Sequence, residues 1–131
     1  MGKYVYPALI KQEESGYSVT FPDVSGCYTC GDTLADVIAM AEDALALVMY
    51  EKETEKESPP KQTELKNIIC EQDEIATLIY CDTLVYRKMY DKTAVKKTLT
   101  IPNWLNVMAE EANINFSQLL QEALKSKLSV K

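Results

Sequence analysis

The chain has 131 residues, 47% of them hydrophobic, the composition of a folded protein with room for one ordinary domain or two very small ones. It contains no histidine, which removes serine–histidine and cysteine–histidine catalysis, histidine-ligated zinc and the commonest general base together. The net charge of −6 is divided unevenly: residues 1–91 carry 8 basic and 17 acidic side chains and residues 92–131 carry 6 basic and 3 acidic ones, so nucleic acid would avoid the first segment and tolerate the second.

The first residues run straight into a strand-like pattern, with no secretory signal, and Tyr6 stands where a myristoylation signal needs Ser or Thr. The longest apolar stretch, near residues 44–48, is far short of the ~20 residues of a membrane span, so a cytoplasmic protein with no membrane partner is expected. Residues 4–13 and 16–24 read as two strands around a turn at Glu14-Ser15-Gly16. In the second, Tyr17, Val19 and Phe21 alternate with Ser18 and Thr20, the period of a half-buried strand. Pro22-Asp23 and Ser25-Gly26 supply turn chemistry before a third short strand near residues 27–30.

Cys27 and Cys30 in that strand have the spacing of a redox pair or of half a zinc site. Cys70 and Cys81, eleven residues apart, do not supply a second such pair. Residues three apart on a strand point to opposite faces, and no basic residue close in sequence would stabilise a thiolate. Ordinary reduced cysteines are expected, with no role assigned to Cys27 or Cys30.

A long helix follows Gly31-Asp32-Thr33, capped by Thr33 or by Asp32, with Thr33 and Asp36 in the spacing of a capping box. Leu34, Val37, Ile38, Ala41, Leu45, Val48 and Met49 form its apolar stripe, while Asp36, Glu42 and Asp43 lie on the solvated side. Pro59 and Pro60 end any continuation, a polar connector runs to about Asp73, and residues 75–81 read as a returning strand. Residues 83–93 are a linker or a short helix, with Tyr86, Met89 and Tyr90 at helical spacing.

The last forty residues change character. Over residues 95–101 apolar Val95, Leu99 and Ile101 alternate with Lys96, Thr98 and Thr100, which predicts a strand with one buried and one free face. Pro102 ends it and suits the first turn of a helix with Leu105, Met108, Ala109 and Ala112 on one side. Asn113 fits the left-handed residue that stops this helix. Asn115 and Gln118 then form a capping box, with Ile114 and Leu119 as its hydrophobic staple. One strand and two helices in about 38 residues cannot close a core alone. With no metal or disulfide framework in the sequence, a second copy is the economical answer.

The run from Val95-Lys96-Lys97-Thr98-Leu99-Thr100-Ile101-Pro102 through Asn115-Phe116-Ser117-Gln118-Leu119-Leu120 resembles the ribbon-helix-helix family of repressors. Phe21-Pro22-Asp23-Val24-Ser25-Gly26-Cys27, then Gly31-Asp32-Thr33-Leu34 and the Ala-rich helix, is similar to the HicB antitoxin family. Together the two resemblances cover nearly the whole chain. They imply an α+β protein: residues 1–82 a partial RNase H-like β-β-β-α-β domain that binds and inhibits a HicA-like mRNA-cleaving toxin, and residues 94–131 a ribbon-helix-helix (β-α-α) domain that dimerises and binds the operon's promoter.

The expected DNA-binding residues are Lys96, Thr98 and Thr100 on the ribbon, with Asn115 and Ser117 at a helix N-terminus that would hold a phosphate. No catalytic residue, cofactor or metal is expected. Asp23 and Asp32 sit at turns while Asp36, Glu42 and Asp43 lie on a solvated helix face, so the carboxylates do not gather into a nuclease site. The expected partners are a toxin protein, operator DNA and a second copy of the chain, paired further into a tetramer or not. A ribbon-helix-helix regulator whose first domain senses a small ligand is the alternative that the sequence leaves open.

Overall fold

The first strand, β1 (Lys3–Glu13), turns back through two residues into β2 (Gly16–Thr20), with Glu13 opposite Gly16. Gly16 has a φ of 144°, and a Cβ there would lie 2.5 Å from the carbonyl oxygen of Gly31, so the tight turn and the neighbouring strand both demand glycine. β3 (Tyr28–Gly31) pairs with β2, and β4 (Glu74–Asp82) pairs with the other side of β1. The sheet is antiparallel throughout, in the order β3-β2-β1-β4. The computed structural model describes residues 2–130, which form two units divided between Thr93 and Ala94. The strands belong to the first.

Tyr6, Ala8 and Ile10 of β1, Val19 of β2, and Ile79 and Cys81 of β4 are buried on one face of this sheet. The helix α1 (Leu34–Thr54) lies against that face with Val37, Ala41, Leu45 and Met49, a row four residues apart whose members are almost wholly excluded from solvent. Ile38 and Val48 flank the row half-buried, whereas Leu34, expected in the stripe, is exposed because it lies in the first turn, ahead of the core. Thr33 is the cap: its Oγ1 accepts from Asp36 N–H at 3.1 Å. A Cβ on Gly31 would stand 2.7 Å from Val37 N, so glycine is what lets the helix start this close to β3.

At its far end α1 closes through Lys56 in the left-handed region (φ 59°), with Glu57 N–H reaching Lys52 O and Lys56 N–H reaching Glu53 O. The connector over residues 55–73 is tied down twice. Tyr6 Oη donates to Pro60 O at 2.6 Å, and Thr63 donates its backbone N–H and its hydroxyl to the Asp23 carboxylate at 2.7 and 2.6 Å. Asp23, expected only as a turn residue, is therefore also a strap.

The helix α2 (Thr83–Tyr90) follows β4 directly and rests on α1, so the first unit extends beyond residue 82. Its anchor is a polar cluster around Glu53. Tyr4 Oη, Thr83 Oγ1 and Arg87 Nη2 donate to the Glu53 carboxylate at 2.8, 2.9 and 3.1 Å, and the Arg87 guanidinium lies 4.5 Å from the ring centre of Tyr50. Burial alone would raise the Glu53 carboxyl. The hydrogen bonds from Tyr4, Thr83 and Arg87 outweigh it and hold the group below its ordinary value.

The second unit holds α3 (Asn103–Glu111) and α4 (Phe116–Leu128). The strand predicted over residues 95–101 is not formed within one chain: strand hydrogen bonds need a second strand, and this unit contains no other among its described residues. Asn113 adopts the left-handed conformation (φ 55°), with Asn113 N–H on Glu110 O and Ile114 N–H on Ala109 O. Asn115 Oδ1 accepts from Gln118 N–H at 3.0 Å, while the Gln118 amide turns to Glu122, so only half of the expected capping box is present.

Because the Glu53 carboxyl is held low in the folded protein, its contribution to stability is complete above the ordinary carboxylate value of 4.5 and is lost as the pH falls through the folded value. Glu53→Gln should therefore unfold at lower urea than the parent protein at pH 7. The gap should narrow steadily under acid; a gap independent of pH would show that the carboxylate charge is not what the cluster uses.

Candidate functional site

Lys96, Thr98 and Thr100 are exposed on the segment that precedes α3. Lys97, Leu99 and Ile101, the residues between and beyond them, line an open groove of about 530 Å³ together with Asn106, Ser117 and Leu120. None of the three candidate readers lines that groove. Lys97, Leu99 and Ile101 thus share the side that meets this groove, whereas Val95 is exposed and does not line it. Lys97, to which the sequence reading gave no role, is among the residues lining this groove. The same period-2 count that grouped Leu99 with Ile101 places it on their side, next to Ser117.

Asn115 is the N-cap of α4, and its side-chain oxygen is spent on Gln118 N–H. Ser117 stands two residues further on, in the first turn. Among the described residues, no hydrogen bond occupies the backbone N–H of Phe116 or Ser117, as is usual for the first turn of a helix. These two donors, the positive end of the helix and the Lys97 ammonium in the adjoining groove make a place suited to an anion.

A second, almost wholly apolar groove of about 380 Å³ runs between the helices, lined by Leu105, Met108 and Ala112 of the first and by Ile114 and Leu119, the expected staple pair. None of the described residues 94–130 is buried. Leu99 is 64% exposed, Met108 59% and Leu124 50%, although the sequence places all three on apolar stripes. The second unit therefore presents a set of exposed apolar side chains large for its size.

The first unit presents a different chemistry. Glu42 and Asp43 of α1 and Asp82 at the end of β4 rim a groove floored by Ala39, Ala46, Tyr86 and Met89. Asp23 is committed to Thr63, away from these groups. Among the described residues, no three His, Cys, Asp or Glu side chains come together as a metal site. Cys27 and Cys81 are buried, and burial pushes their thiols up to about 11 and about 12, so neither is a thiolate near neutral pH. Cys30 is exposed, and all four cysteines are free. No described helix is long and apolar enough to cross a membrane.

Comparison with known proteins places the chain in a family. The model of the HicB-like antitoxin of bacterial toxin-antitoxin systems matches residues 6–125. Antitoxin HicB 2 of Photorhabdus laumondii is 37% identical over 59 residues, 44% of this chain and 42% of its own length. The chain spans between about two fifths and three fifths of the curated relatives it matches. Among solved structures, a chain of a toxin-antitoxin complex from Streptococcus pneumoniae has the same fold, with a TM-score of 0.62 at 23% identity over 95% of this chain and 99% of that one. A chain of the HicA3 and HicB3 toxin-antitoxin complex gives 0.51 at 26% identity over 60% of this chain and 99% of that one. The family is one of antitoxins and not of enzymes, and with the match running through both units, the chain belongs to the HicB-like antitoxin family of bacterial toxin-antitoxin systems.

Proposed function

We propose that this protein is the antitoxin of a type II pair, acting in the cytoplasm, whose partial RNase H-like first unit neutralises a HicA-like mRNA-cleaving toxin. Its second unit, a ribbon-helix-helix module, dimerises and represses the operon. The toxin-binding half is supported by the likeness of the chain to a chain of the HicA3 and HicB3 toxin-antitoxin complex, and by the sign of its charge. A toxin that grips RNA must itself be basic where it does so, and residues 1–91 offer a net charge of −9 to meet it.

The DNA-binding half is carried by one observation, the absence of any buried residue among residues 94–130. Two copies pairing their residues 95–101 about a two-fold axis would form a ribbon, cover Leu99 and Ile101, and seat the four helices on one another. Lys96, Thr98 and Thr100 of each copy would then project from the free face toward the major groove, where Thr meets base edges or the thymine methyl and Lys meets guanine acceptors or phosphate. The first turn of α4, with Asn115 and Ser117, would hold a backbone phosphate and fix the register.

The full-length protein should be a dimer or a dimer of dimers at micromolar concentration by light scattering, and removal of residues 94–131 should lower that state. A stable full-length monomer would remove the ribbon. Residues 1–93 alone should restore growth to cells expressing the toxin, with or without a chelator; an inert first unit would place neutralisation elsewhere.

Thr98→Ala or Thr100→Ala should cost on the order of 1–3 kcal/mol at the cognate promoter and relax sequence choice. Lys96→Ala should weaken all sequences alike and flatten the salt dependence if that lysine touches phosphate. Unchanged promoter affinity of the triple alanine variant in gel shifts would rule out readout by this face.

A further inference from the structure

β4 is an edge strand. Its nine residues pair with β1 along their whole length, from Lys3 opposite Asp82 to Lys11 opposite Glu74, and, among the described residues, with no other strand. The direction of its backbone groups follows from three observations. Thr83 N–H turns toward β1 and bonds Gly2 O, whereas Glu74 N–H turns away and bonds Glu71 O. Pro7, which has no N–H, is opposite Leu78. In an antiparallel pair the bonding direction alternates residue by residue, so Ala76, Leu78 and Tyr80 present their N–H and C=O groups to the open side. Among the described residues, no backbone hydrogen bond reaches these three from that side.

An open edge of this length is normally guarded by a charge, a proline, a bulge or brevity. The opposite edge, β3, is four residues long. The run Ile75-Ala76-Thr77-Leu78-Ile79-Tyr80-Cys81 has none of these guards. Leu78 and Tyr80, moreover, are 48% and 47% exposed beside it. We propose that this edge is where an extended segment of the toxin adds to the sheet as a fifth strand, a reading that rests on the toxin-binding role proposed above.

The charges choose between the two available occupants. A second copy pairing antiparallel along the full strand would centre on Leu78 and set Glu74 against Asp82 at both ends, and like charges directly opposite oppose pairing. Lys11 and Lys3 on β1 offset this in part, with Lys11 Nζ 3.8 Å from Asp73 Oδ2. They do not cancel it. At one end Lys11 is paired with Asp73, with Glu71 and Glu74 alongside, and Glu42, Asp43 and Asp82 stand in the groove beside the other. An apolar segment flanked by basic residues answers both ends, and a basic toxin supplies that chemistry.

The test is amide hydrogen exchange by NMR on the full-length antitoxin, free and bound to its toxin. Exchange at Ala76, Leu78 and Tyr80 should slow by about tenfold or more on binding, the equivalent of roughly 1.4 kcal/mol, while Ile79, already bonded to β1, should change less. Leu78→Pro, which removes one outward donor, should weaken the complex by about tenfold, and Leu78→Val, which keeps it, by much less. A complex that forms with unchanged exchange at the three amides overturns the fifth strand and leaves the antitoxin role standing. Failure to form any complex overturns both. Protection already present in the free protein and rising with its concentration assigns the edge to a second copy instead. Should the proline variant fail to fold, the exchange measurement decides alone.

Discussion

A chain this short must enclose enough apolar surface to hold itself together, and each unit meets that demand differently. Burying about 25 cal/mol per Å² of apolar surface has to outweigh the entropy of ordering every residue, and small units have little interior to do it with. In the first unit one long helix crosses the sheet and buries Val37, Ala41, Leu45 and Met49 in a shared core with Tyr6, Ala8 and Ile10 of β1. Among its described residues the second unit has helices of nine and thirteen residues. Their apolar sides remain open.

The polar structure of the first unit follows from the same demand. The helix ends far from where β4 begins, so the chain must travel back across the molecule. A free polar segment would add little to the core, and Tyr6 and Asp23 instead fasten it at Pro60 and Thr63. Glu53 serves the other end, gathering donors from β1 and α2 onto one carboxylate of α1. Removing any donor would leave a little-exposed charge short of partners, which costs more than the bond itself contributes. Charge is divided between the segments as well, with residues 1–91 acidic and residues 92–131 basic.

Much of this was legible because it is local. Thr33, Asn113 and Asn115 signal helix ends through their own side chains or backbone preference, and each occupies the role its residue type suggests. The alternation of Val19 with its neighbours needs only the pleat of one strand. What escaped is non-local. Nothing near Asp23 says that Thr63 will come to it forty residues later, and nothing in residues 75–81 says that their strand will lie outermost. Residues 95–101 carry a clear strand pattern without forming a strand, because a period of two fixes which side chains share a face and not where the hydrogen bonds go. Lys97 was left unassigned, although its position in the alternation sets it with Leu99.

The pairing of β1 with β4 also orders events in time. The strand made first lies beside the strand made last in the sheet, with Lys3 meeting Asp82. A nascent chain can close its β1–β2 hairpin early, but the other side of β1 stays unpaired until almost all of this unit has left the ribosome. The sheet therefore closes late in synthesis, when α2 and the second unit are next to emerge, and a chain cut short before residue 74 would carry the hairpin and α1 without the strand that completes their core.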